Sequence, residues 1–159
     1  MTAAARETGA AVRFPFPPLL FVLPLLVALA VQRWVHPLDM PDRSSITATG
    51  VLLTVAGVAL GLSGVATVVR HHTTVVPHHA VARLVTAGPY RISRNPMYTG
   101  FAVTYLGVTL WVGSWWPLIL LPFCVLATDR LVIAAEEEYL GRRFGTEYGQ
   151  YRSRVRRWL

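Results

Sequence analysis

Long runs without charge alternate along this chain with short arginine-rich stretches. The first run extends from about Phe14 to Val35, interrupted only by Arg33, and the second from Ile46 to Val69. A helix rises about 1.5 Å per residue, so about 20 apolar residues cross a hydrocarbon core about 30 Å thick. Each run therefore predicts one membrane-spanning helix. The third run, Met97 to Thr128, is too long for one ordinary span, and Gly113, Ser114 and Pro117 break it near the middle. It reads as a helical hairpin, about 97–112 and 116–134, whose short arms imply tilt or local thinning of the bilayer. The prolines Pro15, Pro17 and Pro18 suit a helix start, and Pro24 predicts a kink. Arg6 and Arg13 ahead of the first run look like the start of a secretory signal. No small-residue cleavage site follows and Arg33-Trp34 comes next, so a retained anchor is expected. The pattern predicts an all-α integral membrane bundle of about four transmembrane helices, the last two a hairpin, followed by cytoplasmic C-terminal helices. One domain is expected over 1–159, with 1–45 as an N-terminal anchor and 46–159 as the core.

Composition sharpens this picture. Hydrophobic residues make up 53 % of 159 positions, and the mean hydropathy is +0.45. All 15 basic residues are arginine, and the formal net charge is +7. These charges sit beside the apolar runs rather than over a soluble surface, which points to an anionic membrane face and away from nucleic acid. Arg70, Arg83, Arg91 and Arg94 mark one loop, and seven arginines from Arg130 to Arg157 follow the last run, whereas 36–45 has only Arg43 and 113–116 has none. The positive-inside rule then places 70–94 and both termini in the cytoplasm, as for a bacterial inner-membrane protein. Trp111, Trp115 and Trp116 suit an interfacial belt. Cys124 is the only cysteine and lies in an apolar run, where a packed core residue is expected. Gly57, Gly61 and Gly64 allow close helix packing or the approach of a ligand to bare backbone.

Two polar stretches remain, on the same predicted side of the membrane. In the first, 84–98, Gly88-Pro89 makes a turn, and Asn95-Pro96 starts a helix with Asn95 as N-cap and Pro96 at N1. Free N–H groups there can hold an anionic ligand group; alternatively Tyr90, Arg94 and Tyr98 form an interfacial anchor. In the second, Glu136, Glu137 and Glu138 follow directly on the last span, with Asp129 and Arg130 upstream. Glu138 can pair with Arg142 at i,i+4 on a solvated face. Glu136 and Glu137, closest to the span, are the functional candidates, because isolated charges near membrane depth are costly unless paired or used.

The order Gly88-Pro-Tyr-Arg-x-x-Arg-Asn-Pro-x-Tyr98, Glu136-Glu137, Phe144-Gly-x-Glu-Tyr148-x-x-Tyr151 resembles the isoprenylcysteine carboxyl methyltransferase family and, more widely, the phospholipid N-methyltransferases. Thr74 to Pro77 and Leu84-Val85 resemble its bacterial members, and the match covers about 50–157. The resemblance implies a membrane-embedded methyltransferase using S-adenosylmethionine, with the cofactor site in 82–98 and 136–151 and a lipophilic substrate entering from the bilayer. Carried over by position, the cofactor contacts are Ala82, Arg83, Leu84, Val85, Tyr90, Arg94, Asn95, Pro96, Met97 and Tyr98, and Glu136 matches the family's substrate-side Glu; Glu136 and Glu137 are the catalytic candidates. Asn95 stands where eukaryotic members have His. The substrate-binding Arg of the family falls on Val132, which puts a carboxylate acceptor such as prenylcysteine in question; Arg130 points about 160° away on a helix.

Two other readings fit parts of the pattern. A sterol-type reductase shares the C-terminal architecture but uses NADPH and is longer. A membrane metal- or lipid-binding protein would rest on His71, His72, His78 and His79, yet adjacent pairs with no nearby Cys or carboxylate make a poor fixed metal site. No metal is expected.

Overall fold

The computed structural model describes residues 16–41, 43–71 and 81–159. His72, His78, His79, Arg6, Arg13, Pro15 and the 74–77 motif lie outside the described residues. Five α-helices form among the described residues: α1 (Leu19–Trp34), α2 (Arg43–Arg70), α3 (Pro96–Val112), α4 (Trp115–Thr128) and α5 (Ala134–Arg154). Among the described residues no strand forms, and two isolated bridges, Asp39 with Ser114 and Ser93 with Arg156, are the extended pairings.

Two helices among the described residues are long and apolar enough to cross a membrane: Ser44–Arg70, of 27 residues, and a helical rod, Trp115–Arg154, of 40 residues with a kink inside it. Their outward faces are greasy. Leu52, Val55 and Leu62 on α2, and Phe123 and Leu126 on α4, are exposed, as suits side chains that meet lipid rather than water. α1 and α3, with 16 and 17 residues, are shorter than an ordinary span. α1 begins directly after Pro17 and Pro18 and runs through Pro24.

Glycines set how closely α2 and α3 approach. A Cβ at Gly100 would sit 2.6 Å from the Gly61 nitrogen, and one at Gly107 or Gly57 would collide with the backbone of Thr54 or Thr104. In lipid, where no hydrophobic effect drives helices together, such close backbone packing is the main attraction. Gly57, Gly61 and Gly64 are therefore packing residues. On the other side of α3, Phe21 of α1 packs against Phe101 and Tyr105, at ring separations of 6.1 and 6.3 Å, with Cys124 buried beside them.

The expected hairpin forms. Gly113 takes a left-handed conformation (φ 69°, ψ 40°), and Ser114 caps α4 by accepting from the Trp116 N–H. Left-handed backbone is cheap only for glycine. Pro117 is not part of the break: it lies in the first turn of α4, where its missing N–H forfeits no helical bond. The 35–41 segment crosses the hairpin tip through Met40 N–H to Gly113 O (2.8 Å) and Trp115 N–H to Leu38 O (3.0 Å).

The sequence suggests that the last span ends near 134, before separate polar helices. Instead, α4 passes through a π-helical turn, Asp129–Ile133, straight into α5. No glycine or proline intervenes to stop it, and Ala134 and Ala135 favour helix. A break comes later, at Gly145 (φ 48°, ψ −117°).

Candidate functional site

The segment from Val81 to Asn95 is laid along α5 and the chain that follows it, fastened at successive points. The Val81 N–H donates to Tyr139 Oη (3.1 Å), and Arg143 Nε donates to the Val81 carbonyl (2.6 Å). Val85 and Tyr90 are buried with Val68 of α2. Pro89 starts a 3₁₀ turn, Gly88–Arg91, and Tyr151 Oη donates to the Tyr90 carbonyl (2.7 Å). The Arg94 N–H then meets the Arg156 carbonyl (2.9 Å).

At the start of α3, Pro96 holds N1 as expected, but the side chain of Asn95 does not cap the helix. Asn95 Nδ2 donates instead to the Arg157 carbonyl (2.9 Å), and Ser93 Oγ accepts the Asn95 N–H (3.1 Å). The Arg157 carbonyl, which also accepts from Ser93 Oγ (3.3 Å), takes the amide, so the expected cap becomes a link to the C-terminal segment.

The two candidate carboxylates have different surroundings. Glu136 accepts from Tyr98 Oη (2.8 Å). Burial pushes its carboxyl from the ordinary 4.5 up to about 7; the Tyr98 hydrogen bond opposes the shift and the Glu137 charge adds to it. The side chain keeps part of its surface open although protein crowds the carboxyl. Glu137 is buried and bound on both oxygens, by Arg94 (2.7 Å) and by Arg157 (2.6 Å). Burial alone would raise its pKa, but hydrogen bonds from Arg157 and Arg94 win and hold it below the usual carboxylate value. Arg157 also spans both oxygens of Asp129 at 3.0 Å. Its pKa is raised, chiefly by the hydrogen bond to Glu137. Glu138 forms the expected exposed i,i+4 pair with Arg142 (2.8 Å).

The π turn explains how one guanidinium reaches both Asp129 and Glu137. Eight residues of α-helix turn about 800°, which leaves two side chains about 80° apart. A π turn absorbs one extra residue, so the pair behaves as if seven apart, within about 20° of alignment.

The proposed cofactor contacts divide. Val85, Tyr90, Arg94, Pro96 and Tyr98 are buried or pinned around this network, Leu84, Asn95 and Met97 are half-buried, and Ala82 and Arg83 are exposed at its rim. Arg157 and Tyr139 are structural partners that the sequence did not single out, and Asp129, noted there beside Arg130, had no partner assigned. Asp129, the lone acid next to an apolar run, was the available signal; Arg157 is hidden in an arginine-rich tail. Two polar atoms in this region are buried without a partner, Arg94 Nε and Tyr148 Oη. His71 Nδ1 bonds the Thr67 carbonyl (2.8 Å), and no group of metal-ligating side chains gathers among the described residues.

The phospholipid methyltransferase family profile matches residues 45–147. An uncharacterised protein of Haemophilus influenzae is 39 % identical over 66 residues, which are 40 % of this chain and all of that protein. The protein-S-isoprenylcysteine O-methyltransferase of Schizosaccharomyces pombe is 36 % identical over 72 residues, 45 % of this chain and 30 % of that enzyme. Protein-S-isoprenylcysteine O-methyltransferase B of Arabidopsis thaliana is 35 % identical over 75 residues, 46 % of this chain and 37 % of that enzyme. The alignments thus span about a third of each of these two enzymes. No solved structure matches the chain significantly. The matched stretch takes in α3, the hairpin, Glu136 and Glu137, and on it the chain belongs to the phospholipid methyltransferase family.

Proposed function

We propose that this protein is an integral membrane enzyme that takes a methyl group from S-adenosylmethionine and transfers it to an N–H or O–H nucleophile on a lipophilic molecule entering from the bilayer. Four spans with both termini cytoplasmic, in a bacterial inner membrane, accommodate the arginine distribution. The Glu136–Tyr98 pair carries the reading: a crowded carboxyl near neutral pKa, on a side chain that keeps part of its surface open, stands where the lipid-facing rod meets the polar cluster.

Family membership and the residues present both fit the cofactor. The buried, unpartnered donors Arg94 Nε and Tyr148 Oη suit an acidic ligand end, and tyrosine faces favour a sulfonium. When bound, S-adenosylmethionine would supply an activated methyl group, its bond to sulfur breaking as the acceptor lone pair takes the methyl, with a neutral thioether as the leaving group. Glu136 takes the proton released by the acceptor, for which a carboxyl titrating near 7 is well matched. Tyr98 orients that carboxylate, and Glu137, tied to two arginines, holds the binding segment in place rather than moving protons. A carboxylate acceptor fits poorly. Arg94 and Arg157 are engaged with Glu137 and Asp129, and Val132 is apolar and fully buried, so an acceptor carboxylate would meet that of Glu136 uncompensated.

Membranes containing the protein, incubated with methyl-labelled S-adenosylmethionine, should yield a labelled lipid-soluble product with an N- or O-methyl group. Glu136→Gln should keep cofactor affinity and lose about 10²–10⁴-fold in single-turnover rate. Tight NADPH binding with no methyl transfer would overturn the proposal.

A further inference from the structure

A buried hydrogen-bond donor without a partner is costly, so two in one cluster call for an explanation. Arg94 uses Nη1 on the carbonyls of Arg152 (3.1 Å) and Val155 (3.0 Å) and Nη2 on Glu137, while its Nε is buried and unpartnered. Tyr148, 3 % exposed, likewise buries an unpartnered hydroxyl. The two side chains share one neighbourhood. Tyr148 lies in the field of Arg94, Arg152 and Arg157 against that of Glu137 alone, and its ring is 6.2 Å from that of Tyr151, which fastens Tyr90. Arg94 Nε can only donate and the Tyr148 hydroxyl can donate, and three guanidinium groups against one carboxylate in the field at Tyr148 favour an anionic acceptor over a cationic group.

Resting on the S-adenosylmethionine reading above, we propose that Arg94 Nε and Tyr148 Oη are the two donors that hold the carboxylate of the cofactor's amino-acid end. The arrangement would fix that end of the ligand against the 90–95 segment and α5. It leaves the Glu136 side of the cluster for the acceptor.

Tyr148→Phe keeps the ring and removes one donor, and because that hydroxyl is unpartnered in the free protein the variant should melt no lower than wild type. Affinities for S-adenosylmethionine and for its decarboxylated analogue are measured by calorimetry on both detergent-solubilised proteins. Wild type should prefer the carboxylate-bearing ligand by about tenfold or more, as expected of hydrogen bonds to a charged group. Tyr148→Phe should bind S-adenosylmethionine about tenfold more weakly, leave the analogue unchanged and so collapse the preference. Equal weakening of both ligands, or an unchanged preference, would overturn the carboxylate assignment while leaving the cofactor reading intact; such a result would assign the slot to water or another anion. Failure of wild type to bind either ligand would overturn both.

Discussion

Arg94 and Glu137 meet at 2.7 Å although 43 positions separate them in the chain. Their contact joins the segment ahead of α3 to the start of α5, and Arg157 closes the same carboxylate from its other oxygen. Removing one partner of a buried ion pair leaves uncompensated charge at a cost of about 3–5 kcal/mol. Glu137→Ala should therefore lower the thermal midpoint sharply, whereas Glu138→Ala, in a pair exposed on both sides, should change stability by about 0–1 kcal/mol. Because the folded-state pKa of Glu137 is depressed, its contribution is present above the ordinary 4.5 and is lost as pH falls through the folded value. Acid melts of wild type and Glu137→Gln should converge.

Glu136 has the opposite sign. Its folded pKa is raised from 4.5 to about 7, so between those values the folded state holds more protons than the unfolded one. Stability from this group is fullest below 4.5 and falls as pH rises to about 7. The reaction rate should rise over the same upper range as the base ionises. Glu136→Gln should flatten both profiles, which pH-dependent melts and single-turnover rates can check together.

Tyr98→Phe should move the Glu136 profile in the alkaline direction. The Tyr98 hydroxyl favours the ionised carboxylate, and without it burial acts unopposed. Methyl transfer should fall near pH 7 and recover at higher pH. A variant whose rate drops equally at every pH would show that Tyr98 does not tune Glu136.

Gly100→Ala should separate α2 from α3. Its Cβ would lie 2.6 Å from backbone of Gly61, and overpacking of this kind costs about 1–3 kcal/mol. Gly149→Ala, with nothing within 4 Å of the new methyl group, should be neutral or stabilise by about 0.5–1 kcal/mol, because helical alanine loses less entropy than glycine. Thermal unfolding in one detergent would compare the two.

The helices were legible because apolar run length and turn chemistry are local properties. The Ile46–Val69 run became Arg43–Arg70, and Gly113-Ser114 broke the hairpin where expected. The continuity of α4 with α5 was not legible, since polarity changes at Asp129 while helix propensity does not. Asn95 shows the same limit from the other side. Its N-cap position could be read from Pro96, but the destination of its amide depended on the Arg157 carbonyl, 62 positions away. Glu136 and Glu137 are both catalytic candidates in the sequence. Only three-dimensional partners distinguish them: one hydroxyl for the first, two guanidinium groups for the second.

The π turn at Asp129–Ile133 also decides which changes of length the protein can absorb. It holds the equivalent of one inserted residue. Deleting a single residue there, from Leu131 to Ile133, would let the backbone relax to regular α-helix and leave everything downstream in phase. The same deletion within α5, between Glu138 and Gly145, would swing Tyr148 and Tyr151 by about 100° away from Arg94 and the Tyr90 carbonyl. Deletion scanning should thus find slack at the membrane end of the rod and none in the stretch that leads to the tyrosines.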